Sequence, residues 1–492
     1  MLFFRFMGTK SGQILQDGSF WEALFSPDSI AVIGANETLG SWGSDAIRAA
    51  IAASRLEPKR RAYAVNPNQQ QVQGVKSYPS IADIPDRVDL AIIVVRASLV
   101  PDVMRQCVTK GIKAAVVISA GFGETDEAGA QLEKQVVDIA RSGGVRMVGP
   151  NCIGHADLYT RVSSLGVVDR TRPGPMALLG QSGTVSSSIM GAAAGVGIGL
   201  SKFVSTGNEA DLHFEDYLEY LAEDQNTKII TAYVEGLREG HRFFELAKKI
   251  TTKKPIVILK AGATEGAGKA ARSHTGALAG SDAVFSAVFR QAGVVRVEDE
   301  EELADVSLAL LSQPLPKGNG VGILTIGGGF GVLTAEACER EGLKIASMSA
   351  QTLAKLDEVL PPRWSHGNPV DMVGVKTLGE FPTIMACLKA MLDDENLHSV
   401  IALVANRSYA GDQFRAEMTE SEKTLKELGD HAKAIGKPLL LVRRSMGQPM
   451  NGTEVRPSYE DRLAEYPNPR RAAKVMGHLI RYRKYLDSMA DC

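Results

Sequence analysis

Ser273, His274, Thr275 and Gly276 set an imidazole between two hydroxyls, in a stretch that also holds Gly266, Gly268 and Gly280 and Ala270, Ala271, Ala277 and Ala279. Imidazole is a workable nucleophile at cellular pH, since a reference pKa of about 6.5 leaves much of it neutral. Glycine frees the backbone and alanine keeps it slim, so the segment could carry a side chain between two sites. Taken alone, His274 reads more readily as a turn residue flanked by Ser and Thr. Glu235, in the run KIITAYVEG, taken alone is an exposed carboxylate at a strand end.

A second kind of chemistry is anion binding. Gln181, Ser182, Gly183 and Thr184 follow the apolar run PMALLG and open a small-residue helix. A glycine turn at a helix start aims backbone N–H groups and the positive end of the helix dipole outward, and the hydroxyls of Ser182, Thr184 and Ser186 add donors. The turn Gly34–Gly43, GANETLGSWG, has the same design but not the spacing GxGxxG, and no acidic residue follows the next strand to hold a ribose. A nicotinamide-dependent oxidoreductase is therefore disfavoured. The basic run Lys59, Arg60, Arg61 suits a phosphate-rich adenine ligand or a solvated face. Small or polar residues recur at predicted strand ends: Asn66 and Pro67, Ser119 and Ala120, Asn151 and Cys152. Gly327–Gly331 reads as a structural turn, and Glu209 as a helix N-terminal charge before Phe214–Leu221. His366 and Asp371 form no recognisable ligand set, and no metal ligand is expected in the chain.

The elements that must position these residues are α/β in pattern. Apolar runs at 29–35, 61–67, 88–95, 113–122 and 145–151 alternate with helical stretches such as Ser44–Ser54 and Leu99–Lys110, as in parallel sheets covered on both faces. Pro and Gly punctuate the chain at 172–175 and 311–320. Two further units open at 175–193 and 320–342 with the same strand, glycine turn and helix. We expect an N-terminal extension over 1–21, its start MLFFRFMGTKSGQ disordered or loosely docked, then domains over 22–160, 172–312 and 318–492, closed by a basic helix after Pro467. The 492 residues carry 55 basic against 57 acidic side chains, a balance that disfavours a nucleic-acid or anionic-membrane coat. No apolar run approaches the ~20 residues of a membrane span. The five cysteines are dispersed, with no CxxC pair, which suits a reducing, cytoplasmic setting.

In chain order, SIAVIGAN, GSWG, AVNP, VDLAIIVV, KAAVVISAGFGE, GPNCIG, LLGQSGTVSS, STGNEADL, VEGLREGHRF, LKAGATEGAGKAARSHTGALAG and NPVDM resemble the NDP-forming acyl-CoA synthetases. The nearest likeness is to the ADP-forming acetate–CoA ligase α subunit and a more distant one is to the succinyl-CoA synthetase α subunit. The resemblance implies a Rossmann-like CoA-binding domain followed by two flavodoxin-like domains. It implies a phosphorylated histidine at His274, steadied by Glu235, and a phosphate cradle at Gln181, Ser182, Gly183 and Thr184. CoA contacts map to Gly34, Leu39, Gly40, Ser41, Trp42, Asn66, Ile118, Ser119, Ala120 and Asn151. The implied reaction joins a carboxylic acid and CoA at the expense of an NTP, through an acyl phosphate. ADP or ATP and Mg²⁺ would belong to a separate ATP-grasp β-type subunit in an α₂β₂ assembly, since no GxxxxGK[ST] is present. Arg96, where a proline is expected, and the bulky Trp42 depart from the pattern and bear on the shape of the CoA crevice. The competing reading is a non-catalytic CoA or acyl-CoA-binding regulator of the same fold.

Overall fold

The computed structural model describes residues 18–166, 171–264, 266, 281–373, 381–404, 415–443, 458–461 and 463–490. The first sheet comprises β1 (Ser29–Ile33), β2 (Arg61–Val65), β3 (Gln71–Val72), β4 (Val75–Tyr78), β5 (Leu90–Ile93), β6 (Ala114–Val117) and β7 (Arg146–Val148). Its order is β3-β4-β2-β1-β5-β6-β7, parallel except at the β3–β4 hairpin. β1 is buried along its whole length and pairs in register with β2 on one side and β5 on the other. Strand order thus reverses at β1, and the crevice at the carboxyl ends of such a switch point is where open sheets of this kind bind ligands.

The second sheet holds β8 (His155–Asp157), β9 (Val162–Ser163), β10 (Pro173–Gly180), β11 (Leu200–Ser205), β12 (Ile229–Val234), β13 (Ile256–Lys260) and β14 (Val295–Val297), ordered β14-β13-β12-β10-β11-β8-β9. Here the reversal falls at β10, flanked by β12 and β11. The third sheet holds β15 (Gly320–Thr325), β16 (Lys344–Ile345), β17 (Val370–Asp371), β18 (Ser399–Val404), β19 (Leu439–Arg443) and β20 (Glu465–Tyr466), ordered β16-β15-β18-β19-β20, with β17 also on β15. The fold is the expected one: three parallel-dominated α/β sheets, a Rossmann-like domain and then two flavodoxin-like ones.

The first two sheets share one compact unit, residues 1–191 and 199–296, and the third belongs to a second, residues 192–198 and 297–492. Within the first unit the hairpin β8–β9 continues past position 155 into the second sheet, pairing antiparallel with β11 across the expected seam near 160. Asp211 binds the two sheets' layers together, accepting from Arg141 Nε at 2.6 Å, Arg146 Nε at 2.8 Å and the Met147 amide at 2.9 Å.

The start MLFFRFMGTKSGQ, expected to be disordered or loosely docked, lies outside the described residues, and the chain that follows it is packed. Ser19–Phe25 is a helix whose Phe20, Trp21, Leu24 and Phe25 are buried. Trp21 stacks on Tyr220 with ring centroids 4.4 Å apart, and Phe25 meets the His155 ring edge-on. Each large aromatic removed from water contributes roughly 2–3 kcal/mol, enough to hold a short helix in place. The basic run also differs from its phosphate-binding reading. Arg60 is buried at the amino end of β2, donating to the carbonyls of Pro27, Ala53 and Thr160, on the sheet edge opposite the ligand crevice.

The closing helix is Pro469–Ala490. Its basic residues face acids of its own unit: Arg471 on Asp305, Lys474 on Glu298 and Glu302, His478 on Glu302 and Arg481 on Glu341.

Candidate active site

The residues mapped to CoA contacts gather at the carboxyl ends of β1, β2, β6 and β7. After β1 the chain turns at Gly34, whose φ of 95° brings it so close to β5 that an added Cβ would lie 2.4 Å from the Val94 carbonyl oxygen. Gly40 also takes a positive φ. Ser41 caps the helix Trp42–Leu56 by accepting from the Ser44 amide at 3.3 Å, and donates to Asn36 Oδ1 at 2.7 Å. Gly43 packs against the Gly34 carbonyl where no Cβ would fit. The turn is thereby fixed, leaving Leu39 and Trp42 projecting into solvent at 87% and 54% exposure. Large apolar side chains held out over a sheet's switch point offer a face to an apolar or aromatic ligand group.

After β2, Asn66 Nδ2 donates to the Ala35 carbonyl at 2.7 Å and so ties the two strand ends. After β6, Ile118 is buried and the Ser119 hydroxyl donates to the Val95 carbonyl at 2.5 Å. Ala120 is exposed beside it. Asn151 takes a left-handed φ of 55°, its amide bonded to the Ser119 carbonyl and its side chain to Asn208. Arg96 is exposed beyond β5, clear of the buried floor.

The second group lies where β10, β11 and β12 end side by side. The helix Gly183–Gly195 begins directly after β10, and an added Cβ on Gly183 would clash with Ile153 at 2.7 Å. Thr184 is exposed and Ser182 half-buried at this helix start. Ser186 is buried and gives its hydroxyl to the Ser182 carbonyl, so it is not the outward donor expected.

Gln181 makes the more informative contacts. Its Oε1 accepts the amides of Glu235 at 2.6 Å and Gly236 at 3.1 Å, and its Nε2 donates to the Gly236 carbonyl and to Glu209 Oε1, both at 2.8 Å. Glu235 is only 6% exposed, at the end of β12, rather than the ordinary exposed carboxylate that its type suggests. Burial and the neighbouring Glu235 push the Tyr233 hydroxyl up to about 12. Lys260 is buried at the end of β13, donates to the Glu235 carbonyl at 2.9 Å and lies over the Phe285 ring. Burial lowers its pKa, and Arg296 acts in the same direction.

Sequence reading passed over Lys260 and misread Glu209. Lys260 ends the strand run leading into the His274 segment, and that was its signal. Glu209 is not a helix-terminal charge but a buried group in a left-handed conformation, φ 52°. His274 itself falls outside the described residues. Among the described residues, His213, Glu215 and Glu239 bring ligand-capable atoms within 4.8 Å of one another. Arg242 occupies one oxygen of Glu239, and Asp216 accepts from the His213 amide, so capping and ion pairing account for the group.

Family models match in the same order as the sheets. A CoA binding domain matches residues 28–157, a succinyl-CoA ligase like flavodoxin domain 173–310, and a ligase-CoA domain 321–445. The α subunit of acetate–CoA ligase [ADP-forming] II of Pyrococcus furiosus is 40% identical over 426 residues, covering 85% of this chain and 88% of the relative. The chain belongs to the ADP-forming acetate–CoA ligase family, as an α-type subunit. The α subunit of ligase I from the same organism is 36% identical and is covered over 98% of its length. In structure the ligase chain matches the dinucleotide-forming acetyl-coenzyme A synthetase 1 of Ca. Korarchaeum cryptofilum, solved with phosphate and ADP. That match has 30% identity and a TM-score of 0.82 over 96% of this chain and 98% of that one. Relatives named as α subunits imply a separate partner subunit for this acid–thiol ligase. Among its described residues no helix is long and apolar enough to cross a membrane.

Proposed function

We propose that this ligase subunit binds CoA at the carboxyl edge of the first sheet and carries a phosphoryl group on His274 at the carboxyl edge of the second. Inorganic phosphate attacks the thioester carbonyl, CoA leaves as thiol, and an acyl phosphate forms. A neutral nitrogen of His274 then takes the phosphoryl group, breaking the P–O bond to the acyl group and releasing the carboxylate. Glu235 accepts a proton from the other ring nitrogen, fixing the tautomer and balancing the positive charge that develops. Gln181, Ser182, Gly183 and Thr184 receive the phosphate at the helix start. Transfer to ADP with Mg²⁺ takes place on an ATP-grasp β-type subunit in an α₂β₂ assembly, and the reverse sequence makes acyl-CoA. Cys107, Cys152, Cys338 and Cys387 are buried free thiols, in keeping with a cytoplasmic setting.

The observation that carries this reading is the Gln181 clamp, which fixes the Glu235 strand end against the phosphate turn. A regulator that only bound CoA would have no use for that arrangement. The test is peptide mass at neutral to alkaline pH after incubation with acetyl-CoA and phosphate, with and without a candidate ATP-grasp subunit. An acid-labile phosphate on the His274 peptide, absent from His274→Ala, is the expected result. CoA binding with no phosphate under any of these conditions would overturn the reading in favour of the regulator.

A further inference from the structure

We propose that Glu209 is a positioning residue for the Glu235 strand end, acting through the side-chain amide of Gln181. The inference rests on the reading of Glu235 as the partner of a phosphohistidine, and it begins with the two faces of that amide. A primary amide has an acceptor side and a donor side of nearly the same shape, so its orientation is set by what surrounds it. On the acceptor side stand the Glu235 and Gly236 amides, and on the donor side the Gly236 carbonyl and Glu209 Oε1. With Glu209 as acceptor both donor hydrogens are used and the rotated amide is excluded. Without it one N–H loses its partner, and the backbone pair 235–236 is gripped less firmly.

Glu209 is built for this place at some expense. It is 2% exposed, it holds a left-handed backbone that non-glycine residues seldom adopt, and the Thr206 hydroxyl donates to the same Oε1 at 2.8 Å. Burial raises its pKa to about 7, against the hydrogen bonds from Gln181 and Thr206. Glu215, on the helix that follows, pushes in the same direction as burial, and Arg238, from the loop after β12, opposes it. A carboxylate in a dry, strained position with both known contacts on one oxygen is spending its acceptor capacity on orientation. The same Oε1 exists in glutamine, so Glu209→Gln preserves the contact while Glu209→Ala removes it.

The measurements use the full chain with its partner subunit. For Glu209→Ala we expect kcat to fall about 10- to 100-fold, with KM for CoA within about twofold because the CoA residues lie on the first sheet. Glu209→Gln should stay within about threefold of wild type. Hydrogen exchange at the Glu235 and Gly236 amides should quicken in Glu209→Ala and not in Glu209→Gln, a response that a general loss of stability would spread over the whole unit. If Glu209→Ala does not fold, Glu209→Met, which keeps the side chain's bulk but offers no oxygen to Gln181 Nε2, should reproduce both changes. Wild-type kcat and exchange in a folded Glu209→Ala would overturn the proposal, as would a Glu209→Gln variant as impaired as the alanine one. A wild-type chain that never phosphorylates His274 defeats the functional reading instead, while the exchange experiment still decides the clamp.

Discussion

The second and third sheets open alike, an apolar strand, a glycine turn and a helix, yet they place their amide side chains differently. In the second, Gln181 stands in the turn itself and secures the ends of β10 and β12 around Glu235. In the third, Gly327 to Gly331 contain no side chain able to do this, and the turn is closed by Thr325, whose hydroxyl bonds the Gly327 carbonyl. The amide there is Asn368, set back beside the body of β15. It donates to the Val321 and Ala346 carbonyls, both at 2.8 Å, and accepts the Ile323 amide at 2.9 Å. Both amides are richly bonded, but one is spent at a strand end beside a buried carboxylate and the other inside the sheet. On the function proposed above, the same local design serves chemistry in one place and architecture in the other.

The largest effect should separate the two in rate. Glu235→Ala, assayed by rapid quench of the His274 phosphate, should slow phosphorylation by about 100-fold or more, as expected when a positioned acid–base group is lost. Its thermal stability should stay close to wild type. A rate within a few fold of wild type would remove the chemical distinction between the turns. Asn368→Ala should do the reverse. It leaves three backbone groups without their side-chain partner, which should cost about 3 kcal/mol in denaturant unfolding at about 1 kcal/mol each. Phosphorylation per folded molecule should remain near wild type.

Much of this contrast could be read in the chain and part could not. The strand runs of all three sheets follow from continuous apolar segments, and the two glycine turns announce themselves, because helix starts and buried parallel strands are local properties. The hairpins β3–β4 and β8–β9 and the short strands β14, β16, β17 and β20 went unread, since two to four residues carry no periodicity of their own, and so did β11, whose run LSKFVS is interrupted by Ser201 and Lys202. The packing of Trp21 could not be read locally, because its partners Tyr217 and Tyr220 lie some two hundred residues further on. Glu209 was misassigned for the same reason: what decides its role is Gln181, a neighbour only after β10 and β11 have paired.

The smallest effect sharpens the comparison through pH. In the unit of the first two sheets, His155 is buried between the Leu24 carbonyl and the Ser164 hydroxyl, each 2.7 Å from a ring nitrogen, and burial lowers its pKa to about 4. The unfolded chain therefore binds a proton there below about 6.5 that the folded chain refuses, and stability falls as pH drops from 6.5 towards 4. Glu209 works in the opposite sense. With a folded pKa of about 7 it binds its proton earlier than the unfolded chain does, so stability rises as pH drops from 7 towards the unfolded value of about 4.5. The two contributions run over nearly the same window and offset each other. Glu209→Gln should expose the histidine's share, giving a loss on the order of 2 kcal/mol between pH 6.5 and 4.5 that wild type lacks, measured by denaturant unfolding at each pH. In the third sheet's unit, His478 lies 2.7 Å from Glu302, a carboxylate that its partners hold below its usual range despite burial, so Glu302 gives up its contribution to stability only as pH falls below about 4.5. Acid should therefore loosen the Glu209→Gln chain in the unit of the first two sheets first. Equal sensitivity of the variant and wild type between pH 6.5 and 4.5 would mean that Glu209 is not the buried, late-ionising group its contacts imply.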